Sequence, residues 1–569
     1  MSGGRASFEV QVQSDERWTI EDERQAEAEA RAIAAGLIAK KRHSAVRVVK
    51  FWRRADGIIT ETVILHETVS MGDAKVTPSP IEDAPYCKKV RDYYRLESRE
   101  TIGRLFRKYL EKVILTPTEL IHCSKALKRV QEVDTLFPPA IDRVATLQAK
   151  AAQIDSRARR DEVYKAVSQM TQRARRTEET PDLPSLRHND FARMATEAAA
   201  LSPDDGEYVA LVVLSRDLMQ HNSWLAKLDR LAQLTLPELP AESLALLDGV
   251  YADLFGVPSA LQEILGPRAN LAEAVIAIAD LCEGKLATAA PDLAEAMRLI
   301  NRLLAEGRLV ETRKSLLDRL QRQLAGGQPL ARNDSGLESE ALLKVAGRLF
   351  GAEGLMGGPA MAAALTKRAI LLQEAGGKTG LRKAVETMTG LLPDSLMRVV
   401  YLSALAGSEM AADVGQTIEE CATREIKVDI DRLAPLGLSQ TDKMRRITRL
   451  YEEIGRAEAW TADLRNSLRT HLDRLLVGFL ESRGIIERLD DPNAKLRDRA
   501  IRLLEFAGAR LLPDGSEAHR IARDRIIGIL KQPNFELHFI EGITSPAEAE
   551  TVLRHLHGLL SRSGYRLGG

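Results

Sequence analysis

Cysteine is scarce in this chain: Cys87, Cys123, Cys282 and Cys421 are the only four in 569 residues. They lie far apart, with no CxxC pair and no Cys/His cluster, so neither a disulfide framework nor a zinc knuckle is indicated. Thiols placed this way behave as small hydrophobes, and all four are expected reduced and buried. Aromatic residues are also few, at 4%, which disfavours sandwiches and barrels. An excess of one charge is missing too, since 81 Lys and Arg balance 81 Asp and Glu. That balance excludes a chain whose whole surface serves nucleic acid or an anionic membrane, so any such role must be local. No stretch approaches the roughly 18 uninterrupted apolar residues of a membrane span. The opening MSGGRASFEVQVQ has no apolar signal-peptide core, and the expectation is a soluble, cytoplasmic protein without membrane contact.

What is abundant is Ala, Leu, Arg and Glu, the usage of helix packed on helix. A length of 569 residues calls for two to four packed units. The fold expected is mainly α, with a small N-terminal α/β module of ββαββ order and a large all-α body of stacked helical hairpins or an irregular bundle.

The module is expected at 1–68. Phe8, Val10 and Val12 alternate with Glu9, Gln11 and Gln13, and Trp18 with Ile20 repeats that period, which reads as a hairpin. Residues 22–41 change to a helical period, with Ala26, Ala30, Ile33 and Leu37 on one stripe. Two β-rich runs, 46–54 and 58–66, are joined across Asp56-Gly57, a pair suited to a tight turn. Here lies the one local charge feature resembling a ligand surface: Arg47, Lys50, Arg53 and Arg54 interleaved with Phe51 and Trp52. Such residues pair with phosphates and stack on bases. The plainer reading is solvated strand charge that also guards an edge, with the preceding Lys40, Lys41 and Arg42 completing a helix C-terminus.

Residues 69–85, with three prolines, read as a linker. A helical region is expected at 86–180, with one helix over 98–113, a capped start at Thr116-Pro117-Glu119 and a single long amphipathic helix from Pro139 to Arg176. From 181 to 569 the chain reads as an all-α body, with a candidate division into two sub-units near 325–337. Starts are marked at Ser202, Ser335 and Ser545, and stops at Gly326-Gly327, Gly357-Gly358 and Gly376-Gly377. Phe535 to Ile543 alternates in a way that admits a short strand.

No catalytic, cofactor-binding or metal-binding constellation is found. Gly377-Lys378-Thr379 lacks the upstream glycine and the strand of a phosphate loop. His188 and Asp190 lack the further ligands of a metal pair. His555 and His557 fall on different helix faces, and His122 beside Cys123 has no orienting third group. The functional expectation is a non-enzymatic interaction, regulatory or scaffold protein whose helical surface holds a protein partner, with no cofactor. The alternatives are a nucleic-acid binder using the basic hairpin, and an enzyme whose carboxylates meet on facing helices.

Overall fold

A computed structural model describes residues 5–14, 17–40, 45–53, 59–68, 76–186, 189–287, 293–331, 335–351, 354–371, 377–434 and 437–565. It is a small four-stranded antiparallel sheet with one helix, leading into a large all-helical body. The chain divides into two compact units, Met1–Ala269 with Asp280–Leu316, and Asn270–Ala279 with Leu317–Gly569. The sequence separates 86–180 from the later helices, whereas in the structure that region belongs to one unit with the helices up to Ala269.

The N-terminal module has strands β1 (Arg5–Ser14), β2 (Arg17–Arg24), β3 (Ala45–Arg53) and β4 (Ile59–Thr68), with α1 (Glu27–Lys40) between β2 and β3. The sheet order is β2-β1-β3-β4. Val10 lies opposite Val48, Val12 opposite Val46 and Phe8 opposite Lys50. Because side chains alternate across a strand, Phe8, Val10, Val12, Val46 and Val48 share one face, and α1 covers it with Ala30, Ala34 and Leu37. Small alanines at the contact let the helix approach the sheet closely.

The helices after the module are α2 (Leu96–Leu105), α3 (Arg107–Val113), α4 (Pro117–His122), α5 (Ser124–Gln131), α6 (Phe137–Ala152), α7 (Ser156–Glu178), α8 (Phe191–Leu201), α9 (Gly206–Leu218), α10 (Trp224–Leu234), α11 (Ala241–Gly256), α12 (Pro258–Leu265), α13 (Leu271–Cys282), α14 (Ala294–Ala305) and α15 (Val310–Ala325). All lie in the first unit except most of α13 and the part of α15 from Leu317 onward, which belong to the second. Two sequence expectations are corrected by this order. The long helix from Pro139 to Arg176 is two helices, because Gln153 turns left-handed (φ 54°) and the Asp155 carboxylate accepts from Ala158 N to start α7. The helix expected over 98–113 likewise breaks at Phe106, where φ −95° and ψ 12° end α2 and begin α3. In both cases the apolar period runs on through the break, so hydrophobicity alone hides it.

The structure describes the expected linker from Val76 onward, and that part is packed rather than free. Ser79 N donates to Leu105 O at 2.9 Å, Thr135 Oγ1 donates to Val76 O at 2.9 Å, and Ile81 is buried in the core.

Helix α11 organises the first unit. It is buried along most of its length and packs on α2, α4, α8, α10 and α12. Two of its carboxylates serve the N-termini of other helices, where backbone N–H groups would otherwise lack partners. Asp253 Oδ2 accepts from Thr118 N (2.8 Å) and Thr118 Oγ1 (2.5 Å) in α4, while Oδ1 accepts from Arg99 Nε (3.1 Å) of α2. Asp248 accepts from Glu311 N (2.7 Å), Thr312 N (2.9 Å) and Thr312 Oγ1 (2.6 Å) at the start of α15. Between them sits Gly249, whose carbonyl accepts from Arg99 Nη2 at 2.9 Å. A Cβ there would stand 2.8 Å from that same nitrogen, so glycine is what admits the guanidinium.

Helix α4 also carries the expected capping box, Thr116 with Glu119. The second oxygen of Glu119 pairs with Lys227 of α10, both side chains fully buried. Burial holds the Lys227 ammonium below its ordinary pKa, and the carboxylate opposes that shift.

The second unit contains α16 (Ser335–Leu349), a two-residue ribbon of β5 (Phe350–Gly351) and β6 (Gly354–Leu355), α17 (Gly358–Leu371), α18 (Gly377–Leu391), α19 (Ser395–Ala406), α20 (Ala411–Ile426), α21 (Ile430–Leu433), α22 (Gln440–Arg456), α23 (Ala462–Ser482), α24 (Ile485–Leu489), α25 (Leu496–Gly508), α26 (Glu517–Leu530), α27 (Phe535–Phe539) and α28 (Pro546–Ser563). Consecutive pairs α17–α18, α19–α20, α22–α23 and α25–α26 pack as hairpins. Each also touches the next pair: α17 meets α19, α19 meets α22, α18 meets α20, α20 meets α23 and α23 meets α26. This is nearest-neighbour stacking of helical hairpins.

Buried Arg368 of α17 ties one end of this unit together. Its guanidinium donates to the carbonyls of Gln323 (2.8 Å), Leu324 (2.8 Å) and Gln328 (2.6 Å), the last turn of α15 and the residues after it. Glu338, in the first turn of α16, accepts from Leu330 N and Ala331 N at 2.9 Å each and faces Arg368. Gly357 and Gly358, read as a helix stop, have positive φ (74° and 53°) in the turn that leads into α17. The segment from Phe535 is a helix rather than a strand, and Phe535 and Phe539, one turn apart, are both buried among α25, α26 and α28.

The buried Glu119–Lys227 pair yields a direct stability prediction. Lys227→Met alone should cost about 3–5 kcal/mol, since it leaves a carboxylate buried without its counter-charge. Adding Glu119→Gln, which keeps the bond to Thr116 N possible, should recover most of that loss. A double-mutant cycle by urea denaturation checks this, and simply additive losses would refute the coupling.

Candidate functional site

Three places bring together enough polar or accessible chemistry to act as sites. The first is the basic patch on β3. Strand alternation divides it: Arg47, Phe51 and Arg53 occupy one set of register positions, facing Gln11, Ser7 and Arg5 of β1, while Lys50 and Trp52 face Phe8 and Ala6 on the set that α1 covers. Arg47 is engaged on its face, donating to Gln11 Oε1 at 2.7 Å with its guanidinium carbon 4.3 Å from the Trp18 ring centroid. Trp18 in turn lies 5.7 Å from the His66 ring. Lys50 Nζ sits between the Phe8 and Trp52 rings, at 5.9 and 5.5 Å, on the other face. Phe51 is buried and Trp52 is 39% exposed. Arg54 lies outside the described residues. The residues adjacent in sequence are therefore two half-sets on opposite faces, and the period-2 geometry that separates them is already present in their numbering.

The second place is a ring cluster in the first unit. Tyr94, His122 of α4 and Tyr208 of α9 form a triangle with centroid separations of 5.2, 4.9 and 5.2 Å. Arg173 of α7 lies over it, its guanidinium carbon 3.7 Å from the Tyr208 centroid, and is held by Asp205 at 2.8 Å. His122 Nδ1 is 2.8 Å from Thr118 O, and because a carbonyl only accepts, that nitrogen carries the proton. Nε2 is then an acceptor, and among the described residues it has no hydrogen-bond partner. Full burial, with Arg99 and Arg173 nearby, lowers the pKa of His122 to about 3. The neighbouring Cys123 is pushed upward by burial, so the pair holds a neutral imidazole and a protonated thiol, the opposite of an activated nucleophile.

The third place is a cleft of about 1270 Å³ in the second unit, between α26, α27 and the end of α28. His519, Arg523 and Lys531 make it basic, against Glu536, and Ile527, Leu530 and Leu537 bring apolar surface. Leu537 is 65% exposed. Sequence reasoning misses these residues, because the cleft joins positions from 519 to 565 that no local motif links. The one signal there is the alternation of Phe535, Leu537 and Phe539 with Glu536 and His538.

The remaining motifs take structural places. Gly377, Lys378 and Thr379 open α18. Asp190 caps α8 by accepting from Arg193 N at 2.9 Å, and His188 lies outside the described residues. His555 and His557 are both exposed on α28. All four cysteines are buried and unbridged. Among the described residues, no group of three or more His, Cys, Asp or Glu side chains is placed to hold a metal ion. No single described helix is long and apolar enough to cross a membrane; α11 and α12 reach that composition only together, bent by 89°.

Comparison with known proteins adds no assignment: no family model matches the chain, and no curated protein or solved structure matches it.

The ring cluster predicts a pH dependence. With a folded pKa near 3 against an ordinary 6.5, the unfolded chain binds a proton that the folded chain refuses. His122's contribution is therefore complete above pH 6.5 and is lost as pH falls toward 3, at about 1.4 kcal/mol per unit. His122→Asn keeps a donor for Thr118 O but cannot titrate, so the slope of stability between pH 6 and 4 should flatten by about one proton. Denaturant midpoints across that range check it, and an unchanged slope would contradict the assignment.

Proposed function

We propose that this chain is a non-enzymatic interaction protein, a scaffold or regulator that holds a protein partner on its helical surface. The observation that carries the reading is the stacking of hairpins from α17 to α26, in which each pair touches its neighbours in turn. Such stacks present long runs of helix surface and are recurrent frameworks for recognition. Buried ionisable groups point the same way. Asp248, Asp253, Glu119 and Arg368 each have their hydrogen-bonding capacity taken up at helix ends or in ion pairs, where they stabilise the framework rather than meet a substrate.

The cleft beside Leu537 is the place on the second unit we assign to the partner. Basic side chains at 519, 523 and 531 in a lining that also holds Ile527, Leu530 and Leu537 suit a segment that carries acidic residues next to an apolar anchor, for example an amphipathic helix laid in a groove.

A photo-activatable side chain at Leu537 of the full-length chain, irradiated in the producing cells, tests this. The expected result is a discrete protein adduct that Arg523→Glu weakens at least fivefold while helical content is unchanged. An absent adduct, or one indifferent to Arg523→Glu, would count against the reading.

A further inference from the structure

In the first unit, α2, α4, α5, α6 and α7 form a cup around a cavity of about 80 Å³. Leu105, Leu120, Ile121, Ile141, Val163 and Met170 supply much of its wall. The extended segment Ala84, Pro85 and Cys87 closes one side, whereas the rest of the lining is helical apart from Phe106 at the joint between α2 and α3.

All the surface that the cavity exposes is apolar, and the hydrogen bonds explain why. Ser98 Oγ donates to Asp92 O at 2.7 Å, and Thr101 Oγ1 to Glu97 O at 2.9 Å. Gln148 Nε2 donates to Pro85 O at 2.5 Å, and its Oε1 accepts from Arg159 Nε at 2.8 Å. Arg159 Nη2 donates to Tyr93 Oη at 3.3 Å. Every one of these polar groups, which could have reached inward, is committed elsewhere. A buried water needs two to four polar partners, so water has no foothold in this space. An empty void of this size would forfeit about 2 kcal/mol of packing at roughly 24 cal/mol per Å³. Well-packed interiors hold few voids larger than one water.

The closing segment is strapped down by two buried side chains. Gln148 holds Pro85 O, Arg159 Nη2 donates to Cys87 O at 2.6 Å, and the Arg159 guanidinium carbon lies 4.5 Å from the Tyr86 ring centroid. Lifting this strap breaks a few side-chain bonds; parting two helices of the cup would expose far more apolar surface.

We propose that the cavity is a binding site for a small apolar ligand, a short alkyl group, which enters beneath the strap at Ala84–Cys87. The volume sets the class. A dry cavity of about 150 Å³ accommodates benzene, so a space roughly half as large suits an alkyl group smaller than an aromatic ring.

The probe is propane, dissolved under pressure with the full-length chain and observed through methyl resonances. Shifts confined to Leu120, Ile121, Ile141 and Val163, saturating with propane, are expected. Val163→Phe fills the space and should abolish them; Val163→Leu, a gentler filling, should weaken binding at least threefold if the larger side chain prevents folding. Gln148→Ala loosens the strap and should speed ligand exchange at least threefold. The proposal is overturned by absent or unsaturable shifts, by shifts that survive filling in a folded variant, or by exchange that ignores Gln148→Ala.

Discussion

The polar groups at helix ends must find partners when helices are buried, and in this protein buried charged side chains supply them. Asp253 is the pivotal case. One carboxylate joins three helices, accepting from the first turn of α4 with one oxygen and from Arg99 of α2 with the other, while its own helix, α11, is buried through most of its length. Removing the charge would leave the first turn of α4 without its acceptor and the buried Arg99 with only the partly exposed Glu311 carboxylate, 3.4 Å from Nη2, as counter-charge. Asp248 repeats the arrangement for α15. In the second unit Arg368 does the converse at a helix C-terminus, giving its donors to three carbonyls.

This constraint explains why a chain rich in charge carries so little recognisable chemistry. Buried carboxylates, a lysine and an arginine are present, which in another fold would suggest acid–base catalysis. Here backbone amides, hydroxyls and counter-ions already occupy them. His122 obeys the same pattern, its ring proton given to Thr118 O and its pKa driven low by burial. The function we propose, interaction through surface shape, places no demand on a reactive interior.

Much of the architecture is legible in the sequence. The alternation of Phe8, Val10 and Val12 and the change of period after Asp22 locate the module, because strands and helices impose different repeats. Thr116-Pro117-Glu119 and Ser545-Pro546-Glu548 mark helix starts through local chemistry, and the structure begins α4 and α28 there. Breaks at Phe106 and Gln153 are not legible, since they depend on backbone angles that the apolar period does not report. FELHF admits a strand because Phe535, Leu537 and Phe539 alternate with Glu536 and His538, a period that suits β-structure; tertiary burial of Phe535 and Phe539 one helical turn apart decides otherwise. The candidate sites are harder still. The cleft at Leu537 and the cup beneath Pro85 join residues far apart in sequence, while the basic run on β3 looks continuous only when its two faces are read as one.

Asp253 stabilises the first unit by satisfying α4 and Arg99 together, and Asp253→Asn puts that role under strain: it is nearly isosteric yet places an amide nitrogen where only acceptors fit. The decisive observable is chemical denaturation of the full-length variant, followed by Trp224 fluorescence in a background where Trp18, Trp52 and Trp460 are phenylalanine. A loss of about 3 kcal/mol is expected, with helical content intact below the transition. A change under about 0.5 kcal/mol, the size typical of inconsequential surface substitutions, would contradict the role assigned to Asp253.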